Sequence, residues 1–291
     1  MNTKKLSFRG GVADEYGNVT EMSAGGHTLA LSLGVNGLGG TFDGKYTIDG
    51  ARNVFSSRDP ETKQIAADAL KTWQGAVNLV GDGYTLSLAI AAKGKVKVTG
   101  TVNGVKVTAT SQLLIGEENC CIPVVITKKA NLAANVWLTD KGEIVVSGLE
   151  GAVAGKAGSI KAGVKVRFGD EAAKGLSALA GVMTKYLPDG LAVSQNGTKW
   201  VVAGGAKAGK VAFVRGTTEV DEAKAGANPS ALKLTYKAKD GSIKGSFKAY
   251  AVVNGRIKAY SFTVTGVMVG NVGYCTATLK KSAVSFPITI E

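Results

Sequence analysis

Four Asn-Gly and five Asp-Gly dipeptides punctuate this chain, and they constrain its fold more than any other feature. Asn-Gly begins at Asn36, Asn103, Asn196 and Asn254; Asp-Gly begins at Asp43, Asp49, Asp82, Asp189 and Asp240. Such pairs accept positive φ at both residues with little steric penalty, which a tight hairpin turn demands. Between them apolar and polar residues alternate, over residues 85–90, 95–99 and 105–108. A period of two with β-branched residues reads as half-buried antiparallel strand. In ALKLTYKAKDGSIKGSFKAYAVVNGRIKAYSFTVTGVMVG, from Ala231 to Gly270, one face collects Leu232, Leu234 and Tyr236, the other Lys233, Thr235 and Lys237. Asp240-Gly241 and Asn254-Gly255 close two hairpins there, so the segment reads as a meander.

The chain also matches itself. GHTLALSLGVNG from Gly26 aligns with GYTLSLAIAAKG from Gly83, and IPVVI from Ile122 resembles FPITI from Phe286. A repeat of about 55 residues or more is too irregular for a propeller or solenoid. Duplicated meanders suit one large or two smaller β-barrels, because closure removes exposed edges. The expected organisation is a meander half over 1–150 and a second over 151–291, with a single closed domain as the alternative. Apolar residues make up 45% of the chain and Pro only 5 positions, so the 40 glycines serve turns rather than disorder.

Two segments break the β pattern. A helix is predicted near 59–73, with Asp59 as N-cap, Pro60 at the first helical position and Trp73 on its apolar face. A second is predicted near 170–187, with Asp170 as N-cap, Leu176, Leu179, Ala180, Met183 and Leu187 on one face, and Pro188 and Gly190 as the stop. Their small, apolar faces fit plugs at barrel ends. The run GLEGAVAGKAGSIKAG, residues 148–163, reads as a linker or loose hairpin between halves.

Charge is uneven. The net of +13 comes from 15 Lys/Arg against 14 Asp/Glu in residues 1–150 and 20 against 8 in residues 151–291. A basic half invites polyanion binding, with Lys233, Lys237, Lys244, Lys248, Arg256 and Lys258 as candidate contacts; lysines also solvate a strand face and blunt sheet edges. Tyr236 faces away from Lys233 and Lys237, which argues against the interleaved platform that single-stranded nucleic acid needs. No run of about 18 apolar residues occurs, so no membrane-spanning helix is expected and the chain reads as soluble. At 7% aromatic content with two helices interrupting the strands, it is a poor transmembrane barrel. The N-terminus has lysines but no apolar stretch, so no signal peptide is read there.

Catalytic and cofactor signatures are missing. His27 is the one histidine and fills the slot that Tyr84 fills in the matching copy. Three cysteines cannot make a four-cysteine zinc site. Cys121 and Cys275 fall together when LLIGEENCC is laid over VMVGNVGYC, so Cys275 with Cys121 or with Cys120 is a candidate disulfide, with three buried thiols as the alternative. GGAKAGKV, from Gly204, copies a phosphate loop until Val211 replaces the Ser/Thr, and a strand follows instead of a helix. GVNGLGG from Gly34 lacks a surrounding βαβ unit. Glu117, Glu118, Asp140 and Glu143 show no spacing for paired-carboxylate chemistry. Trp73, Trp137 and Trp200 sit in core-like patterns rather than on ligand platforms. No cofactor or metal is expected.

The segments NPSALKLTYKAKDGSIKGSFKAY…NGRIKAYSFTVTGVMVGNVGYCTATLKK and SQLLIGEENCCIPVVITKK resemble β-rich repeat modules of very large, mostly uncharacterised bacterial secreted or surface proteins. The resemblance spans about residues 80–140 and 195–291 and rests on strand and turn pattern. It implies an extracellular or cell-envelope setting and a structural or binding role with glycan or protein partners, and it transfers no catalytic residue. Ala231 and Cys275 stand where that pattern leads one to expect glycine, a mark of divergence or engineering. The missing leader fits an excised module. The function expected is a non-enzymatic binding module; the alternatives are a barrel with an internal small-molecule pocket, near His27 or the cysteines, and polyanion binding through the basic half.

Overall fold

The computed structural model describes residues 6–34, 37–51, 53–116, 119–158, 163–202, 213–214, 217–219, 221, 228–280 and 282–291. The first sheet is the meander β1 (Asn18–Ala24), β2 (His27–Leu33), β3 (Gly37–Phe42) and β4 (Tyr46–Ala51). Asp43-Gly44 turns β3 into β4 with φ of 54° and 59°. Asp49-Gly50, by contrast, is no turn: both residues lie in β4, opposite Gly39 and Leu38. One face gathers Leu29, Leu31, Leu38, Phe42 and Ile48, since these pair with one another or with glycine across the strands. Phe8 from the preceding segment meets Phe42 edge-on at 6.1 Å. Among the residues of 6–51 whose side chains are described none is buried.

Helix α1 (Pro60–Trp73) begins as its sequence demands, with the Asp59 carboxylate accepting from the Thr62 amide at 2.7 Å. A second meander follows: β5 (Gly75–Gly81), β6 (Tyr84–Ile90), β7 (Lys95–Val102) and β8 (Val105–Gln112). It faces a sheet of β9 (Leu114–Ile115), β10 (Asn119–Ile126), β11 (Leu132–Thr139) and β12 (Ile144–Ser147). Alternate residues such as Leu79, Leu86, Leu88, Val98, Ile122 and Val136 form one buried core between them. Ala66 and Trp73 of α1 join this core. The two sheets do not close into a barrel by hydrogen bonding; Ser111 of β8 instead donates its hydroxyl to the Pro123 carbonyl of β10. Helix α1 therefore seals a two-sheet core, not the mouth of a closed barrel.

The run predicted as a linker contains β13 (Val153–Lys156), which adds an edge to the second meander by pairing with β5. The chain then enters a closed eight-stranded antiparallel barrel: β14 (Val164–Phe168), β15 (Ala192–Asn196), β16 (Lys199–Val202), β17 (Lys233–Lys237), β18 (Ser242–Val253), β19 (Arg256–Val269), β20 (Val272–Leu279) and β21 (Ser285–Ile290). Closure comes from β14 against β21, with Val166 opposite Ile290. The period of two sends Phe247, Phe262, Val264, Met268 and Ile288 inward, all nearly fully buried. Phe247 and Phe262 stack at 4.9 Å, and Phe168 and Phe286 tilt against that pair, so side chains fill the interior. Lys233, Lys237 and Lys244 face outward, the reverse of a lipid-facing barrel. No helix among the described residues is long and apolar enough to cross a membrane.

Helix α2 (Asp170–Ser177) is shorter than predicted and starts one residue earlier, with Gly169 rather than Asp170 as its cap. It stops because Gly181 takes φ of 73° and Val182 bridges Ala251 as an extra strand residue. Ala172 and Leu176 enter the barrel core, and a side chain at Gly175 would strike Phe286, so the helix closes one barrel end. Ala231 holds φ of 51°, the left-handed conformation that favours glycine. Cys275 needs no glycine; it is an ordinary strand residue opposite Gly266.

The two cores are clamped together by polar contacts. Asn78 of β5, fully buried, donates from Nδ2 to the Met268 carbonyl of β19 at 2.7 Å. Ser87 of β6 donates to the Asp240 carbonyl at 3.1 Å. Ala157 bridges Gly270, and Gly241, with φ of 66°, leaves room for Asn78 where a Cβ would lie 2.5 Å from Nδ2.

Candidate functional site

Beyond these contacts the second meander and the barrel diverge and leave a cleft of about 770 Å³. Its two walls are outer strand faces. On the meander side stand Thr85 opposite Thr101 and Ser87 opposite Thr99; on the barrel side stand Thr265 opposite Thr276 and Tyr274 opposite Thr289. These positions follow from the pleat: each neighbours a residue whose side chain fills one of the two cores. Asp240 lies where the walls meet and Asp82 in the turn between β5 and β6. No Lys or Arg is among the lining residues.

A second feature is a lysine face. Across β16, β17 and β18 the register aligns Lys199, Thr235 and Lys244, with Lys233 and Lys237 two residues to either side. Lys248 continues the outward face of β18. None of these five lysines has an ion-pair partner among the described residues. Arg256 and Lys258, also predicted as polyanion contacts, point to the opposite side of the β18–β19 hairpin, opposite Val253 and Ala251. Strand parity separates them, since Lys248 pairs with odd-numbered Ser261 on β19 whereas Arg256 and Lys258 are even. Lysine gives way to threonine at the line where Lys244 pairs with Thr265.

The other candidates are dispersed. The disulfide is not formed: Cys120, Cys121 and Cys275 are free thiols. Cys275 belongs to the barrel core, whereas Cys121 sits on β10 beside Trp137, on the face turned away from the two-sheet core. The alignment that joined them compared two strands with separate interiors. Burial pushes the thiols of Cys120 and Cys121 up to about 11 and also raises Cys275, so all three stay protonated near neutrality. His27 is half-exposed; its Nδ1 lies 2.7 Å from Asp43 Oδ2 and its ring stacks on Phe42. The contact with His27 and the hydrogen bond from the Thr28 amide hold the Asp43 carboxyl below its ordinary range. Trp73 is core and lies under Lys156, with Nζ 4.4 Å from the ring centre. Trp200 is barrel core, and its indole N–H has no partner among the described residues. Trp137 departs from expectation: it is half-buried on an outer sheet face and donates to Ser147 at 3.2 Å. Asp140 and Glu143 flank the turn between β11 and β12, while Glu117, Glu118 and the phosphate-loop-like sequence at 204–211 lie outside the described residues. Among the described residues no three His, Cys, Asp or Glu side chains converge as metal ligands would.

A smaller pocket of about 490 Å³ lies at the barrel end, between α2 and residues 179–189, lined by apolar groups such as Leu176, Leu179 and Val182. Leu176 belongs to the barrel core and Leu179, Val182 and Leu187 pack partly against it, so the pocket lies over that core's edge. No protein family, curated protein or solved structure matches the chain.

Proposed function

We propose that this chain is a non-enzymatic binding module of a bacterial surface or secreted protein, set outside the cell or in its envelope, with the barrel as scaffold. The observation that carries the reading is the filled barrel interior. Four phenylalanines and their aliphatic neighbours occupy the space that a carrier or barrel enzyme would give to its ligand. Contact with a partner then falls to outer strand faces, and those faces are differentiated by chemistry. The resemblance to bacterial repeat modules supports the setting, and the match between residues 26–37 and 83–94 supports descent by duplication. A screen for hydrolysis and group transfer checks the reading: no turnover is expected, and a robust activity abolished by a point substitution overturns it.

Polyanion binding is the second reading, favoured by the unpaired lysines on β16–β18. Replacing Lys233, Lys237, Lys244 and Lys248 together by Gln should lower the salt needed to elute the protein from heparin by more than the same charge removed elsewhere. Equal shifts would reduce the effect to net charge and remove this reading.

A further inference from the structure

We infer that the cleft between the second meander and the barrel wall binds a neutral polysaccharide segment. The inference rests on the binding-module reading and names the ligand of one of its surfaces. Seven threonines line the cleft; Thr278 pairs its hydroxyl with Ser285, and the other six face it from two sides, Thr85, Thr99 and Thr101 from the meander and Thr265, Thr276 and Thr289 from the barrel. None of the six has a side-chain hydrogen-bond partner among the described residues. On neighbouring outer strand positions of the barrel, by contrast, Thr235 donates its hydroxyl to the Lys244 carbonyl and Thr263 to the Thr278 carbonyl.

The chemistry of the lining selects the ligand. A threonine hydroxyl both donates and accepts, so it matches a sugar hydroxyl, which does the same. Threonine is also stiff at χ1, and a strand holds it on a rigid sheet, so little order is lost on binding. Tyr274 adds an aromatic ring to the barrel wall, and Asp82 and Asp240 add acceptors for sugar O–H groups. The lining has no cation although the chain carries a net charge of +13. An anionic polymer would find its partners on the lysine face of β16–β18 and meet two carboxylates here. The volume, about 770 Å³, is in the range of ligand sites and too large for a single water-filled crevice. The groove is set between two rigid sheets whose docking contacts, Asn78 to Met268 and Ser87 to Asp240, close its inner end.

Affinity electrophoresis of the full chain in gels containing a β-glucan, a mannan, a galactan or a xylan, with heparin as the anionic contrast, tests this. At least one neutral polysaccharide should retard the protein. The double variant Thr85→Val, Thr276→Val keeps side-chain shape and removes one hydroxyl from each wall; it should bind about tenfold more weakly. Thr265→Arg, at an exposed wall position that tolerates a large side chain, should block the cleft and abolish retardation while the thermal transition is unchanged. Retardation by none of the four neutral polymers overturns the inference, as does retardation that both variants leave intact. Retardation by heparin alone overturns it too and leaves the lysine-face reading standing. Release of reducing ends from a bound polymer keeps the cleft assignment and overturns the non-enzymatic reading.

Discussion

The strands β2 and β6 share a pattern, HTLALSL and YTLSLAI, with Thr and two Leu at matching places, yet they end in different environments. Leu86 and Leu88 of β6 are fully buried; Leu29 and Leu31, their counterparts in β2, are only half-covered. The pleat is alike in the two strands. The difference is what lies across from them. The second meander faces the β9–β12 sheet and α1, whereas the first, among the described residues, is met by the segment that carries Phe8 and touches the β9–β12 sheet only at the edge between β4 and β9. Alternation writes a face; a second layer is needed to bury it. The partners within the sheet differ as well. Leu31 sits opposite Gly40, but Leu88 sits opposite Val98, so the first meander has less to pack even within its own plane.

The largest effect should come from testing that difference directly. Leu88→Ala removes a fully buried side chain from a two-sheet core and should cost about 3 kcal/mol. The matched change Leu31→Ala should cost about 1 kcal/mol or less, because its site is already open to water. Urea unfolding of both variants measures the pair. Equal losses would mean that the first meander is covered by something beyond Phe8, and the contrast would fail.

A smaller effect concerns the other face of the second meander. Asn78 is fully buried only because the barrel lies against β5. Asn78→Ala leaves the Met268 carbonyl unpaired in that interface and should cost about 1–2 kcal/mol. It should also let the two cores unfold in separate steps, seen as a broadened or split calorimetric transition. A single sharp transition at a lower temperature would show that packing, not this hydrogen bond, couples the cores.

Residue by residue, the sequence makes much of this visible. Asp43-Gly44, Asn103-Gly104 and Asn254-Gly255 take positive φ at both positions, so those hairpins were readable from local turn chemistry. Helix α1 was readable from Asp59, Pro60 and Trp73. Asp49-Gly50 misleads because the same dipeptide is tolerated within a strand, where Gly50 lets Leu38 pack against its backbone. Helix α2 ends early because Val182 is drawn into a bridge with Ala251, a residue distant in sequence. The threonine cleft gave no signal at all. Thr85, Thr101, Thr265 and Thr276 each look like the polar positions of an ordinary exposed strand face. They become a site only through the docking of Asn78 and Ser87 on the barrel, a long-range contact that no local pattern encodes. The lysine face was half legible: parity within β17 and β18 was plain, but the reversal at Arg256 and Lys258 depends on the register of the hairpin.

The smallest effect should be confined to the first meander and should appear only in acid. With little apolar burial, this sheet leans on Asp43, whose Oδ1 accepts from the Thr28 amide at 2.8 Å while Oδ2 meets His27. The contact with His27 and the Thr28 hydrogen bond lower the Asp43 pKa beneath its ordinary 3.8. A carboxyl whose pKa is lower folded than unfolded binds protons more weakly in the folded state. Its contribution is therefore complete above the unfolded value and is lost as pH falls below 3.8 through the folded one. Amide exchange at Thr28 should accelerate relative to the chemical rate across that range, while amides of β6, the matched strand of the second meander, stay protected. In Asp43→Asn the acceleration should already be present at neutral pH and show no further acid step. An acid step of the same size in β6 would place the loss in the whole molecule and erase the contrast between the two meanders.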